Sequence, residues 1–145
     1  MTYEALFGLV NTIILPAWLL LLVAPGWRWS QRVAVAVTVP LLAATYAGLI
    51  GFALATGSGA EDVDFTTMEG VASIFSHPLG IVAGWTHYLA FDLFVGAWVA
   101  RDGRRLGLPR LALLPCLVLC LMAGPAGLLL FLGIRRVRRP RAALV

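Results

Sequence analysis

The sequence lacks lysine entirely and is poor in charged residues of any kind. Only 12% of its 145 residues are Asp, Glu, Lys or Arg, and all 11 basic residues are arginine. A soluble domain of this size has about twice that proportion of charge, so the composition argues against a water-soluble fold. The arginines stand between apolar segments, which is typical of membrane topology and not of a nucleic-acid-binding surface.

Cysteine is also scarce, because only Cys116 and Cys120 are present. They lie four residues apart in one apolar run, where parallel Cα–Cβ bonds on a helix would strain a disulfide. Without a histidine or an acid nearby on that helix, two thiols are a poor metal site. We interpret them as small apolar core residues and predict no metal site.

Long apolar runs are what the sequence has in excess, with 61% hydrophobic residues. Four of these runs, at about 5–24, 33–56, 81–100 and 111–134, reach the roughly 20 residues that a membrane-spanning helix needs. They predict an all-α, integral membrane four-helix bundle in a single domain over residues 1–145. Its predicted spans are about 3–24, 33–56, 81–100 and 111–134.

The one long connection, residues 57–80, holds four of the acids: Glu61, Asp62, Asp64 and Glu69. Thr66 and Glu69 fit a capping box, which predicts a short interfacial helix at about 67–76 that ends at His77-Pro78. Two interpretations stay open for this helix. It is either a lid packed on the bundle, or an element that holds Glu69 and His77 over the mouth of a site.

The arginines are in conflict with four spans. Arginines at 28 and 32 flank one loop and four more flank the next, which predicts an outside amino terminus. With four spans, the arginines at 135, 136, 138, 139 and 141 would then also lie outside. Either the rule fails at the tail or the fourth run, interrupted by Gly124-Pro125-Ala126-Gly127, re-enters. We favour four spans, because each half of a re-entrant hairpin has only about twelve residues.

Ionisable groups within the third run are the main candidates for function. His87 and Asp92 stand there beside Tyr88, and an ionisable group at membrane depth costs from a few to roughly ten kcal/mol. Gly84, Tyr88, Asp92 and Gly96 follow at intervals of four and form one stripe on a helix. His87 lies about 140° from Asp92 around that helix, next to Phe91. The stripe indicates either hydrogen bonding between helices or a functional site.

Two further elements are candidates for the same site. Asn11 and Trp18 are seven residues apart in the first helix and share a face, and a buried amide usually bonds to another helix. Two interpretations stay open for Asn11: it forms a structural hydrogen bond between helices, or it lines an active site. The break at Gly124–Gly127 frees backbone carbonyls. A broken helix at membrane depth is often a ligand-binding site, and it is also often only a kink.

These residues resemble a known family. The block Gly84-Trp85-Thr86-His87-Tyr88-Leu89-Ala90-Phe91-Asp92-Leu93-Phe94-Val95-Gly96 is similar to the signature of the abscisic-acid-deficient-four-like membrane proteins. These are the neoxanthin-synthase-associated proteins of plants and their bacterial relatives. Asn11, Trp18 and Pro25 are similar to the family's start, and Leu114-Pro115-Cys116-Leu117 with Gly124–Leu130 resembles its last helix. The resemblance covers about residues 5–135.

The resemblance implies a four-helix integral membrane protein and, in plants, a role in converting the epoxide violaxanthin to the allenic neoxanthin. The arginine, alanine, valine and leucine bias suggests a GC-rich bacterial genome. We therefore expect a multi-pass protein of the bacterial cell (plasma) membrane. Its expected partners are membrane lipid, an apolar carotenoid or isoprenoid, and a membrane enzyme.

Such a conversion is an isomerisation, so its stoichiometry requires no cofactor. It needs one proton given to the epoxide oxygen and one removed from a polyene carbon. We predict Asp92 as the acid, oriented by Tyr88, with His87 or Glu69 as the base. The predicted substrate contacts are Asn11, Trp18, Gly84, Phe91, Gly96, Gly124 and Pro125. The alternatives are a non-catalytic isoprenoid-binding or accessory subunit of a membrane enzyme, and a transporter, which should show an internal repeat or a polar path.

Overall fold

The computed structural model describes residues 2–60 and 63–138, and within these ranges all regular secondary structure is helical. Glu61 and Asp62 of the acidic connection, and Arg139 and Arg141 of the tail, lie outside the described residues. The six helices are α1 (Tyr3–Val23), α2 (Arg28–Thr56), α3 (Met68–Ser76), α4 (Pro78–Arg105), α5 (Arg110–Met122) and α6 (Gly124–Arg138).

Three of these helices, α1, α2 and α4, are long and apolar enough to cross a membrane. The first two correspond to the predicted runs, and α4 extends past 81–100 at both ends. Its start at Pro78 follows from proline chemistry. The ring fixes φ for the first helical turn, and the preceding His77 is extended, with φ −99° and ψ 134°.

The helix α2 contains a wider, π-helical turn over Arg32–Thr38. The backbone N–H of Val39 donates to the carbonyl of Ala34, five residues back. This turn ends just before Pro40, whose ring would clash with the carbonyl four residues back in a regular α-helix. The irregularity is therefore tied to the proline.

The central element is α4, which packs against α1, α2, α3, α5 and α6. Its interior face is apolar, with Leu93 and Ala97 fully buried. Trp18 of α1 is 2% exposed and lies with the tip of its indole against Gly96. A side chain at position 96 would displace that ring, so glycine there allows the large indole to fill the core.

The fourth predicted span, 111–134, is not confirmed, because the chain forms two separate helices there, α5 and α6. Leu113 of α5 and Phe131 of α6 both lie against Gly103 near the end of α4. A continuous helix would separate residues 113 and 131 by about 27 Å. Arg135 Nε lies 2.8 Å from Asp102 Oδ2, which brings the end of α6 back to the same end of α4. Residues 110–138 therefore form a helical hairpin.

Local chemistry explains why the chain turns back. Ala123, between the arms, has φ −155° and ψ 74°, far from helical values. Pro125 has no N–H and suits the first turn of α6. Gly127 lies so close to Cys116 and Cys120 that a Cβ would collide with their backbone atoms. The arms, of 13 and 15 residues, are each too short to cross a bilayer.

The short helix α3 falls where one was predicted, but its cap differs from the prediction. Thr67 is the N-cap, and its side chain accepts from Gly70 N at 3.1 Å. Thr66 instead donates to Asp64 Oδ1 through its N–H, at 2.8 Å, and its hydroxyl, at 2.7 Å. The sequence suited either threonine, because both precede the helix and carry a hydroxyl group that suits an N-cap. The interfacial position of α3 stays a prediction.

Arginines in the described ranges gather at one end of the molecule. One cavity is lined by Arg28, Arg101, Arg104 and Arg105, another by Arg104 and Arg110, and Asp102 pairs with Arg135. At the opposite end, Tyr3, residues 57–60 and His77 surround a cavity of about 580 Å³. The hairpin makes this arrangement possible, because both of its ends lie at the arginine end.

Candidate functional site

The carboxyl group of Asp92 lies halfway along α4, against the tip of the hairpin. Asp92 is 8% exposed, and its carboxyl group occupies the space that a Cβ on Gly124 would need. Among the described residues, its buried Oδ2 has no hydrogen-bond partner. Within residues 2–60 and 63–138, the only ion pair joins Asp102 and Arg135. Asp92 is thus a buried acid without a neighbouring cation.

Tyr88 connects α4 to the same tip. Its hydroxyl donates to the carbonyl oxygen of Met122 at 3.4 Å and lies close to the Asp92 carboxyl. Met122 ends α5, where helix carbonyls lack intrahelical partners, and Gly124 begins α6, at the positive end of a helix dipole. A hydroxyl donor therefore meets the carbonyl end of one arm, and a carboxyl group meets the amide end of the other.

A second contact joins α4 to α1. Trp85 Nε1 donates to Asn11 Oδ1 at 3.0 Å, and Asn11 Nδ2 donates to the carbonyl of Phe7 at 2.7 Å. The predicted bond from Asn11 to another helix is confirmed. The Trp85 indole stacks on the Tyr88 ring, with centroids 5.4 Å apart and planes at 22°, and lies 5.7 Å from the Phe7 ring.

Trp85 is the site residue that the sequence analysis did not select. It precedes Tyr88 by three residues and Asp92 by seven, so all three share a face of α4. An indole counts as apolar in a hydropathy profile, yet its N–H needs an acceptor when it is away from water. The i, i+3, i+7 spacing was the signal that could have found it.

The two predicted bases lie elsewhere. His87 is exposed on another side of α4, with its ring 4.6 Å from Phe91 and 5.3 Å from Tyr46 of α2. Glu69 is exposed in the first turn of α3. The structure thus brings Tyr88 to Asp92, and it brings neither His87 nor Glu69 there.

The space next to most of the predicted substrate-contacting residues is filled by the protein's own atoms. Gly84 lies against the Phe75 ring of α3, Gly96 against Trp18, and Gly124 against Asp92. Phe91 is 59% exposed and Pro125 is exposed at the tip. Trp18 is therefore behind the polar residues, within the core, and the open surface lies on the Trp85 side.

Phe7, Asn11, Trp85, Tyr88 and Met122 contact one another along that surface, and we call it the lateral groove. The hairpin tip stops at the level of Tyr88 and Asp92, so neither arm covers the part of α4 that runs from Trp85 back towards Pro78. Phe7 and Trp85 are each 37% exposed, and Met122 is 71% exposed. It presents the rings of Phe7, Trp85 and Tyr88, and the Tyr88 hydroxyl at its Met122 end lies close to the Asp92 carboxyl group.

The two cysteines lie behind the tip. Cys116 and Cys120 are free and fully buried, and both contact Gly127 across the hairpin. This confirms their interpretation as small core residues, because the arms could not approach closely around larger side chains.

Comparison with known proteins supports the sequence resemblance at the level of the family. No curated protein and no solved structure matches the chain. A family model described as ABA DEFICIENT 4-like matches residues 5–131, which include the Asp92 face of α4, the Asn11 region of α1 and the hairpin tip. The chain belongs to the ABA DEFICIENT 4-like family.

Proposed function

We propose that this protein is a multi-pass membrane protein that binds a carotenoid or other isoprenoid in the lateral groove and isomerises it by proton transfer at Asp92. The observation that carries the proposal is the buried Asp92 carboxyl, with an oxygen unpartnered among the described residues, beside the aromatic surface of Phe7, Trp85 and Tyr88. Family membership supports the same class of molecule, since the resemblance implies a role with an epoxide carotenoid.

The proposed membrane arrangement has three spans, with the hairpin entering from the arginine end. The positive-inside rule then places that end in the cytoplasm and the start of α1 outside, in a bacterial plasma membrane. The amphipathic α3 lies at the outer interface. Irregular backbone at membrane depth is tolerated where protein contacts it, and here Tyr88 contacts Met122 and Asp92 contacts Gly124.

The groove suits a flat apolar molecule with one polar end. The rings of Phe7, Trp85 and Tyr88 form a continuous aromatic surface on which a polyene can stack. Because the hairpin stops halfway, the surface opens sideways to the outer half of the bilayer. An isoprenoid dissolved in lipid would enter without crossing water.

The chemistry can be carried by one carboxyl group, used in its protonated form because no cation accompanies it among the described residues. One oxygen of Asp92 donates a proton to an epoxide oxygen as the C–O bond breaks. The other oxygen takes a proton from the polyene carbon, and the C–H electron pair becomes the new double bond. The carboxyl group is regenerated, so the step balances without a cofactor.

A direct test uses the purified protein in lipid nanodiscs with an all-trans carotenoid 5,6-epoxide. Asp92→Asn should abolish the isomerised product, seen by chromatography and by the change in the polyene absorption band, while substrate is retained. Asp102→Asn, at the arginine end of the same helix, is the matched control and should keep the product. An unchanged product profile in Asp92→Asn would remove that residue from the chemistry.

The alternative is a non-catalytic, isoprenoid-binding subunit of a membrane enzyme. The close packing of Asp92 on Gly124 favours it, because the carboxyl group also holds the hairpin to α4. In that case the protein retains a polyene without converting it. Asp92→Asn would then lower the unfolding temperature and the retention together, whereas a catalytic acid predicts loss of conversion with retention unchanged.

A further inference from the structure

The arginine end carries a second site, independent of the lateral groove. Two adjoining cavities, of about 300 and 350 Å³, are both lined by Pro25, Gly26 and Arg104. We call them together the arginine groove. The remaining lining residues are Trp27, Arg28, Gln31, Arg101 and Arg105 in the first cavity, and Leu108, Arg110 and Leu113 in the second.

The arginine groove has an uncompensated positive charge. Five arginines line it and no acid does. In the ranges that the structure describes, the one ion pair is formed by Asp102 and Arg135, neither of which lines the groove. Guanidinium groups crowded in this way repel one another, and an anion that several of them contact would relieve that repulsion.

The surroundings indicate which anion fits. Trp27 and Trp29, 51% and 46% exposed, lie at the end of the long apolar helices, and such tryptophans favour the headgroup level of a bilayer. Arg110 lines the groove, and Leu114 and Val118 follow it at intervals of four along α5, 38% and 44% exposed. A charged site therefore continues into an exposed apolar stripe.

We propose that the arginine groove binds the phosphodiester headgroup of an anionic phospholipid, with an acyl chain along Leu114 and Val118. Arg104 borders both cavities and is the central contact. The planar guanidinium group matches the oxygens of a phosphate better than a lysine would, and the cytoplasmic leaflet is the one rich in anionic lipid. The proposal requires membrane insertion but not the isomerase activity.

Lipid retention tests this directly. The full-length protein, equilibrated in mixed micelles with equal phosphatidylglycerol and phosphatidylcholine, is examined by native mass spectrometry. The wild type should retain phosphatidylglycerol preferentially, and Arg104→Gln should lower the ratio of the two lipids about fivefold, near 1 kcal/mol per arginine. An equal retention of both lipids by the wild type would overturn the proposal.

Gly26→Ala provides a variant that keeps every charge. A Cβ there would collide with the Arg104 guanidinium, an exposed and flexible group that can move. Gly26 has no positive φ, so alanine suits its backbone. The variant should fold normally and still lose lipid preference. A ratio equal to that of the wild type would contradict the central position of Arg104.

Two comparisons separate a built site from simpler explanations. Arg138→Gln removes the same charge from the exposed end of α6, outside the groove, and should change the ratio less than twofold. An equal loss in Arg138→Gln and Arg104→Gln would mean general attraction and no site. Displacement of phosphatidylglycerol by millimolar inorganic phosphate would assign the groove to free phosphate and reject the lipid.

Discussion

The carboxyl group of Asp92 packs directly on Gly124, in a space that a Cβ at position 124 would need. This contact joins the middle of α4 to the tip of the hairpin. Both groups are buried, so neither can move into open space. Position 124 therefore requires a glycine for steric reasons, independently of the backbone flexibility that glycine provides.

Replacing Gly124 by alanine should therefore destabilise the protein. Forcing a methyl group into a filled space costs about 1–3 kcal/mol, against a gain of at most about 1 kcal/mol from better helix propensity. Thermal unfolding in detergent should show a lower midpoint for Gly124→Ala. Gly133→Ala is the control on the same helix, because a Cβ there meets nothing within 4 Å. Equal midpoints for the two variants would refute the contact.

Tyr88→Phe should weaken the attachment of the hairpin to α4 without disturbing the aromatic stack. The substitution removes the hydroxyl that donates to Met122 and keeps the ring that stacks on Trp85. A neutral hydrogen bond contributes about 0.5–1.5 kcal/mol, and this one, at 3.4 Å, should lie near the lower value. Tyr46→Phe, whose ring contacts His87, is the control for the same change. If both variants unfold alike, the Tyr88 hydroxyl does not hold the hairpin tip.

Features encoded by short, local signals were predictable from the sequence. Hydropathy located the helices α1, α2 and α4, because the length and hydropathy of an apolar run depend on its local sequence alone. The pair His77-Pro78 correctly ended α3, and the His77 ring then accepts from Leu79 N at 3.2 Å to begin α4. The polar face of α4 also followed from helical periodicity.

A re-entrant fourth run was one of the two alternatives from the sequence, but four spans were favoured, because a break in an apolar run does not give the direction that follows it. Gly124 and Pro125 mark a turn equally well for a kinked span and for a reversal. The arginines after Ile134 favoured the re-entrant alternative, and the reversal does place Arg135 beside Asp102 at the arginine end. The tight contact at Gly127 forms only when both arms pack together, so a local sequence pattern does not predict it.

The turn before α3 should depend on pH through Asp64. Hydrogen bonds to its carboxylate, first from the Thr66 backbone and then from the Thr66 hydroxyl, lower its pKa below the ordinary value of 3.8. Because the folded turn favours the charged form, this contribution is complete at neutral pH. It is lost as the pH falls below about 4 and through the lowered pKa.

An NMR titration of the Asp64 carboxyl carbon measures this shift. Thr66→Ala removes the hydroxyl bond and should move the Asp64 pKa upward, towards the ordinary value. Thr12→Ala is a matched control, because its hydroxyl donates to the Gly8 carbonyl in α1. A Thr66→Ala titration superimposable on the wild type would show that the hydroxyl does not contribute.

The hairpin makes a prediction about sidedness that separates it from a fourth span. Val137, 85% exposed near the end of α6, should lie on the same side of the membrane as Gly107, in the exposed α4–α5 turn. Single cysteines at these positions, in a background with Cys116 and Cys120 replaced by alanine, report it by labelling with an impermeant maleimide. In inverted vesicles both should react, whereas a cysteine at Ser58, which lines the cavity beyond α2 at the opposite end, should react only in right-side-out vesicles. A fourth span predicts the reverse for Val137, which would then label together with Ser58 and against Gly107.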